Sequence, residues 1–169
     1  MTTTLDAAGK MDRLIESGVV AVMRGADADT AVDVAEALHA GGVTALELTV
    51  DNPDAMELIE AVSASFDDDE VIVGAGTVLE AETARRAIDS GAEFVVSPTF
   101  DRGVVETCNR YGVLVAPGAL TPTEALDAYE TGADLVKIFP AASVGPSHLS
   151  AIAGPLPQIP LMPTGGVGL

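Results

Sequence analysis

Apolar, β-branched runs punctuate this chain at a nearly constant interval. They lie at Val19–Arg24, Ala45–Val50, Val71–Val78, Phe94–Phe100, Leu114–Leu120, Leu135–Pro140 and Leu161–Val167, with starts 20 to 26 residues apart. That interval suits a strand, a loop, a helix and a return loop. Between the runs the apolar positions take helical spacing. Ala31, Val34, Ala35 and Leu38 follow i, i+3, i+4, i+7 and predict one apolar helix face. Asp29 or Thr30 would cap that helix and Gly41-Gly42 would stop it. Asn52-Pro53 and Thr121-Pro122 read as helix starts with proline in or near the first turn. Gly91, Gly112, Gly132 and Gly154 fall where other helices should end.

Strands that alternate with helices through short connections imply a parallel sheet. Seven such strands fit either an open doubly wound sheet or a (β/α)8 barrel one strand short. No Pro- or Ser-rich linker breaks the series, so residues 1–169 read as a single domain. Gly74-Ala75-Gly76 follows a strand, as a dinucleotide-binding turn would. Position 79 is leucine where that fingerprint needs its third glycine, and a Rossmann-type site is set aside.

Composition narrows the picture. Hydrophobic residues make up 48% of the chain and aromatics 4%, so Val, Leu, Ile and Ala must fill the core, as buried parallel strands require. No apolar run approaches the ~20 residues that span a bilayer. The N-terminal stretch lacks the basic-then-apolar order of a signal peptide. A lone cysteine, Cys108, cannot form an internal disulfide and suits a cytoplasmic setting. With 26 acidic against 8 basic residues, the net charge of −18 repels nucleic acid and anionic membranes and leaves small molecules as the expected ligands. The abundance of aliphatics argues against disorder. An acid-coated, salt-adapted (halophilic) surface is expected instead, its self-repulsion screened in molar salt.

Candidate chemistry starts from the lysines, of which there are two. Lys10 lies in the polar N-terminal segment. Lys137 sits among aliphatics in Leu135-Val-Lys-Ile-Phe-Pro140, at the strand end where β/α proteins build their sites. Burial disfavours its charged form, and a neutral amine attacks a ketone to form a Schiff base. A strand-end lysine reaching solvent or pairing with a carboxylate is the bland alternative. Strand alternation turns Leu46, Leu48 and Val50 to one side and Ala45, Glu47 and Thr49 to the other. The same parity sends Val136 and Ile138 outward and Lys137 and Phe139 inward. Glu47 and Lys137 would then share a barrel interior, either as a buried ion pair or as a general acid/base beside a nucleophile. Arg24, Thr77, Ser97, Thr99 and Thr164 also occupy strand ends. Arg24 can clamp a carboxylate or phosphate, and Gly165-Gly166 lets backbone N–H groups approach an anion. His39 and His148 have no ligand-like spacing, Cys108 reads as core, and no metal motif is present, so a metal-free site is expected.

Read in order, the segments Val19-Val-Ala-Val-Met-Arg24, Gly41-Gly-Val-Thr-Ala-Leu-Glu-Leu-Thr49, Gly74-Ala-Gly-Thr-Val78, Gly91-Ala-Glu-Phe-Val-Val-Ser-Pro98, Pro117-Gly118, Thr121-Pro-Thr-Glu124, Lys137-Ile-Phe-Pro140, Gly154-Pro155 and Pro163-Thr-Gly-Gly166 resemble the 2-keto-3-deoxy-6-phosphogluconate (KDPG) and 4-hydroxy-2-oxoglutarate aldolases. The resemblance runs from about residue 14 to the end. It implies a TIM-type (β/α)8 barrel and a trimer in an Entner–Doudoroff-type pathway. It also implies a class I aldolase that splits KDPG into pyruvate and glyceraldehyde 3-phosphate without a cofactor or metal. The Schiff-base lysine falls on Lys137, the acid/base glutamate on Glu47 and the pyruvate-contacting threonine on Thr77. Pro98, Phe139 and Thr164 fall on pocket walls. Two departures stand out. Where many members carry an arginine four residues after the glutamate, this chain has Asp51, so Arg24 is the expected carboxylate partner. The sequence also stops at Leu169, just past the seventh strand, and is expected to be C-terminally incomplete, without the family's main phosphate loop. The epimer 2-keto-3-deoxy-6-phosphogalactonate and 4-hydroxy-2-oxoglutarate are the alternative substrates. A non-covalent epimerase and a catalytically silent phosphate-barrel binding protein are the alternatives of other kinds.

Overall fold

The computed structural model describes residues 7–25, 27, 30–67 and 70–168. Asp29 and the middle of the acidic run 67–70 lie outside the described residues. Each of the seven runs contains a strand: β1 (Ala21–Met23), β2 (Ala45–Thr49), β3 (Ile72–Gly76), β4 (Phe94–Val96), β5 (Leu114–Ala116) with β6 (Gly118–Ala119), β7 (Val136–Ile138) and β8 (Leu161–Pro163). The fifth run is split because Pro117 has no N–H to give to a ladder. Strands β1 to β5 pair in sequence order, β6 to β8 continue that order, and every pairing is parallel. This is the β/α barrel pattern, of which the chain supplies seven strands.

The helices α1 (Ala7–Ser17), α2 (Ala31–Ala40), α3 (Ala55–Ala64), α4 (Ala81–Asp89), α5 (Arg102–Tyr111), α6 (Pro122–Glu130) and α7 (Pro146–Ala153) separate the strands. Their ends follow local chemistry. Thr121 and Glu124 form a reciprocal capping box with Pro122 in the first turn of α6. Gly112 closes α5 in the left-handed conformation (φ +67°). Two expectations shift. Helix α3 starts at Ala55, so Pro53 sits in the preceding turn. On α2 the buried face is Ala31 and Ala35, while Val34 turns to solvent.

Strand parity divides the core into two layers. Leu46, Leu48, Val73, Ala75, Val95 and Val115 pack outward against α2 to α5. Alanine builds the faces of α2 (Ala31, Ala35), α4 (Ala84, Ala87) and α6 (Ala125, Ala128), whereas α3 buries Leu58, Ile59 and Val62 and α5 buries Val104 and Val105. Ala45, Ile72, Phe94, Val96, Leu114 and Ala116 point inward. Their cluster is closed by Leu14 and Met11 of α1, a helix that the polar appearance of the N-terminal segment concealed. Lys10, read as part of a polar segment, lies on this helix and pairs with Glu93 at 3.1 Å. Edge strands β1 and β8 flank a cavity of about 510 Å³ that Ile15, Val19, Val22, Met162 and Val167 line and that reaches inward to Glu47. Among the described residues no helix is long and apolar enough to cross a membrane.

Candidate active site

Glu47 and Lys137 face the barrel interior from β2 and β7, with relative exposures of 3% and 6%. Water therefore solvates neither charge well. Burial pushes the Glu47 carboxyl above the usual carboxylate range, against the opposing pull of Lys137 and Arg24. Burial likewise holds the Lys137 amine below its ordinary value; Glu47 opposes that shift and Arg24 adds to it. The two side chains feel each other's charge but are not among the ion pairs of the described residues. A simple buried salt bridge is thus not what the interior holds.

Space for the glutamate comes from a neighbouring strand. Glu47 lies beside Gly74 in the β2–β3 register, and Thr49 beside Gly76. A Cβ added at Gly76 would overlap the Glu47 carboxylate, and one at Gly74 would overlap the ring of Phe94. These glycines, which read as a turn in the sequence, are interior positions left empty for other side chains. Parity was the signal available for them, since both share the inward phase of Ile72. Gly118, opposite Lys137 in the register, does the same for the backbone of Pro98. The Lys137 N–H donates to the Pro117 carbonyl at 2.9 Å and fixes β7 at the break in the fifth strand.

The other expected residues collect at the same carboxyl ends. Arg24 follows β1 and donates through Nη1 to Asp51 at 2.6 Å and through Nη2 to the Thr77 hydroxyl at 3.4 Å. Thr77 follows β3 and holds a left-handed φ of +64°, a conformation that costs a β-branched residue free energy. Lys137 Nζ stands 5.1 Å from the centroid of the Phe139 ring. A Cβ on Gly165 would press into that ring at 2.9 Å, so Phe139 seats on a glycine with φ +89°. Pro98 is half-buried after β4. Thr164, Gly165 and Gly166 follow β8 and line the same cavity as Glu47. Ser97 is fully buried. Thr99 is an exposed loop residue, and Cys108 is a core residue of α5 whose thiol burial pushes up to about 12. His39 and His148 lie on α2 and α7; His148 Nε2 bonds the Leu120 carbonyl at 2.6 Å.

A parallel β/α barrel that buries a lysine and a glutamate on inward strand positions, with an arginine after its first strand, has the parts of a lysine-dependent lyase. The family model for KDPG and KHG aldolase matches residues 11–169, and the chain belongs to that family. It is 42% identical over 142 residues to the 2-dehydro-3-deoxy-phosphogluconate aldolase of Treponema pallidum, spanning 83% of this chain and 67% of that protein. It is 36% identical over 162 residues to a probable 2-dehydro-3-deoxy-6-phosphogalactonate aldolase of Rhizobium meliloti, over 93% of this chain and 76% of that one. Among solved structures, KDPG aldolase from Legionella pneumophila, with pyruvate captured as a covalent carbinolamine, superposes with a TM-score of 0.81. That match has 33% identity and covers 88% of this chain and 71% of that one.

Proposed function

We propose that this chain is a class I aldolase that cleaves KDPG into pyruvate and glyceraldehyde 3-phosphate. The observation that carries the reading is a buried lysine of lowered basicity sharing the interior with a buried carboxylate it does not directly pair with. Lys137, as the neutral amine, adds to the ketone to give a carbinolamine, which loses water to form a protonated imine. Glu47 takes the proton of the C4 hydroxyl. The C3–C4 electron pair moves toward the iminium nitrogen, and glyceraldehyde 3-phosphate leaves. Glu47 returns the proton to the enamine carbon, and water releases pyruvate from Lys137. Thr77 and Arg24 hold the keto-acid carboxylate. Pro98 and Phe139 form the walls, and Thr164, Gly165 and Gly166 receive the distal part of the substrate. The chemistry needs neither metal nor cofactor.

The phosphogalactonate epimer and 4-hydroxy-2-oxoglutarate are the competing substrates; the Rhizobium relative's name favours keeping the first. We further propose that residues 1–169 belong to one barrel domain, that the enzyme is a cytoplasmic homotrimer, and that the charge of −18 suits it to high salt. The deciding experiment is borohydride reduction in the presence of pyruvate, followed by peptide mass mapping. A pyruvate-derived mass on Lys137 is expected. No adduct, or an adduct on Lys10, overturns the assignment. An Lys137→Met variant that keeps most of its activity would favour a non-covalent epimerase, and binding without turnover in the unmodified protein a silent binding module.

A further inference from the structure

Asp51 follows β2 at the barrel mouth and pairs with Arg24, which follows β1. The pair is exposed, with relative side-chain areas of 60% for Arg24 and 46% for Asp51. Exposed pairs contribute little to stability, so the fold does not depend on this contact. Its geometry suits another task. Arg24, Asp51 and Thr77 follow β1, β2 and β3, three strands adjacent in the sheet. Asp51 takes one guanidinium nitrogen and Thr77 the other. Of the five N–H donors on an arginine, these contacts engage two and leave the rest for a ligand. The charge so fixed also reaches Glu47 and Lys137, as the smallest of the influences on each.

We infer that Asp51 is a positioning residue: it holds the Arg24 guanidinium against Thr77 at the mouth, where the free N–H groups take the carboxylate of the 2-keto acid. This rests on the reading of Arg24 as the carboxylate partner. A carboxylate at position 51 does for a neighbouring strand's arginine what an arginine at position 51 would do directly. Without Asp51, the long Arg24 side chain would sample many rotamers and each binding event would have to order it.

The test is the half-saturation concentration of pyruvate in borohydride trapping, with KM and kcat for cleavage of KDPG. Asp51→Ala should raise half-saturation and KM about tenfold while leaving kcat within about twofold, the signature of lost uniform binding. Asp51→Glu should recover most of the loss. Asp89→Ala, which breaks the comparable exposed Arg85–Asp89 pair (2.8 Å) on α4, should change nothing. Unchanged half-saturation in Asp51→Ala, with Arg24→Ala raised, overturns this inference alone. If Arg24→Ala leaves half-saturation unchanged while Lys137 still traps pyruvate, the carboxylate role of Arg24 falls, and this inference with it. Equal losses in Asp51→Ala and Asp51→Glu, accompanied by lowered Tm, would make Asp51 merely structural and also overturn it.

Discussion

Gly76→Ala is the sharpest test of how the interior is built. Gly76 is not a positive-φ position, so alanine meets no backbone obstacle there. The only change is a methyl group placed on the Glu47 carboxylate, against its Oε1, Cδ and Cγ atoms. Glu47 borders the cavity between β1 and β8, so relief requires swinging a buried carboxylate into that space. Overpacking of this kind costs about 1–3 kcal/mol. At roughly 2–4 °C per kcal/mol for a domain of this size, Tm should fall by about 2–12 °C. A displacement of about 1 Å in an acid/base group should also lower kcat by about 10²-fold. The assay is a double-mutant cycle: urea or thermal unfolding of Gly76→Ala, Glu47→Ala and the pair. In the Glu47→Ala background the methyl finds the space the carboxylate has vacated, so the second substitution should cost little. Equal stability costs in both backgrounds would refute the steric argument. Gly112→Ala, on the surface with no atom within 4 Å and φ +67°, is the control. It should lose about 1 kcal/mol of stability to backbone strain and no activity.

Further expectations follow from the same residues. Lys137 must be neutral to attack; its burial lowers the pKa and Glu47 opposes this, so Glu47→Gln should move the acid limb of the trapping rate to lower pH. An unmoved limb would show that the two groups are not coupled. For stability the sign is set by the raised Glu47 carboxyl: its contribution is complete below the unfolded pKa and is lost as pH rises through the folded one. Glu47→Gln should therefore melt higher than the parent at neutral pH, with the gap closing in acid. Leu14→Ala, which empties the buried contact of α1, should cost about 2–5 kcal/mol in urea unfolding; a loss under 1 kcal/mol would mean α1 merely rests on the barrel. Tm should rise from dilute buffer to molar KCl, as screening relieves the charge of −18.

The alternation of apolar and polar positions carried the strands, their parallel order and the inward phase of Glu47 and Lys137, because period-two parity is a local property. Family-like spacing then assembled the mouth. Other features depended on neighbours far along the chain. Nothing local says that Gly76 is small for the sake of Glu47, or that Asp51 holds Arg24. The proline break of the fifth strand was visible as Ala-Pro-Gly, but its meaning requires the pairing of Gly118 with Lys137. Helix α1 was missed for another reason. Its inward residues, Met11 and Leu14, are few, and the surrounding charges masked their i, i+3 spacing.

The alanine faces of the helices have a thermal consequence. On α2, α4 and α6 each buried methyl removes less apolar area from water than a leucine would, so these helices add only a modest apolar surface to what unfolding exposes. The heat-capacity change of unfolding scales with that surface and should be small. A small change flattens the curve of stability against temperature. Such a barrel should lose stability gently on warming and be slow to weaken in the cold.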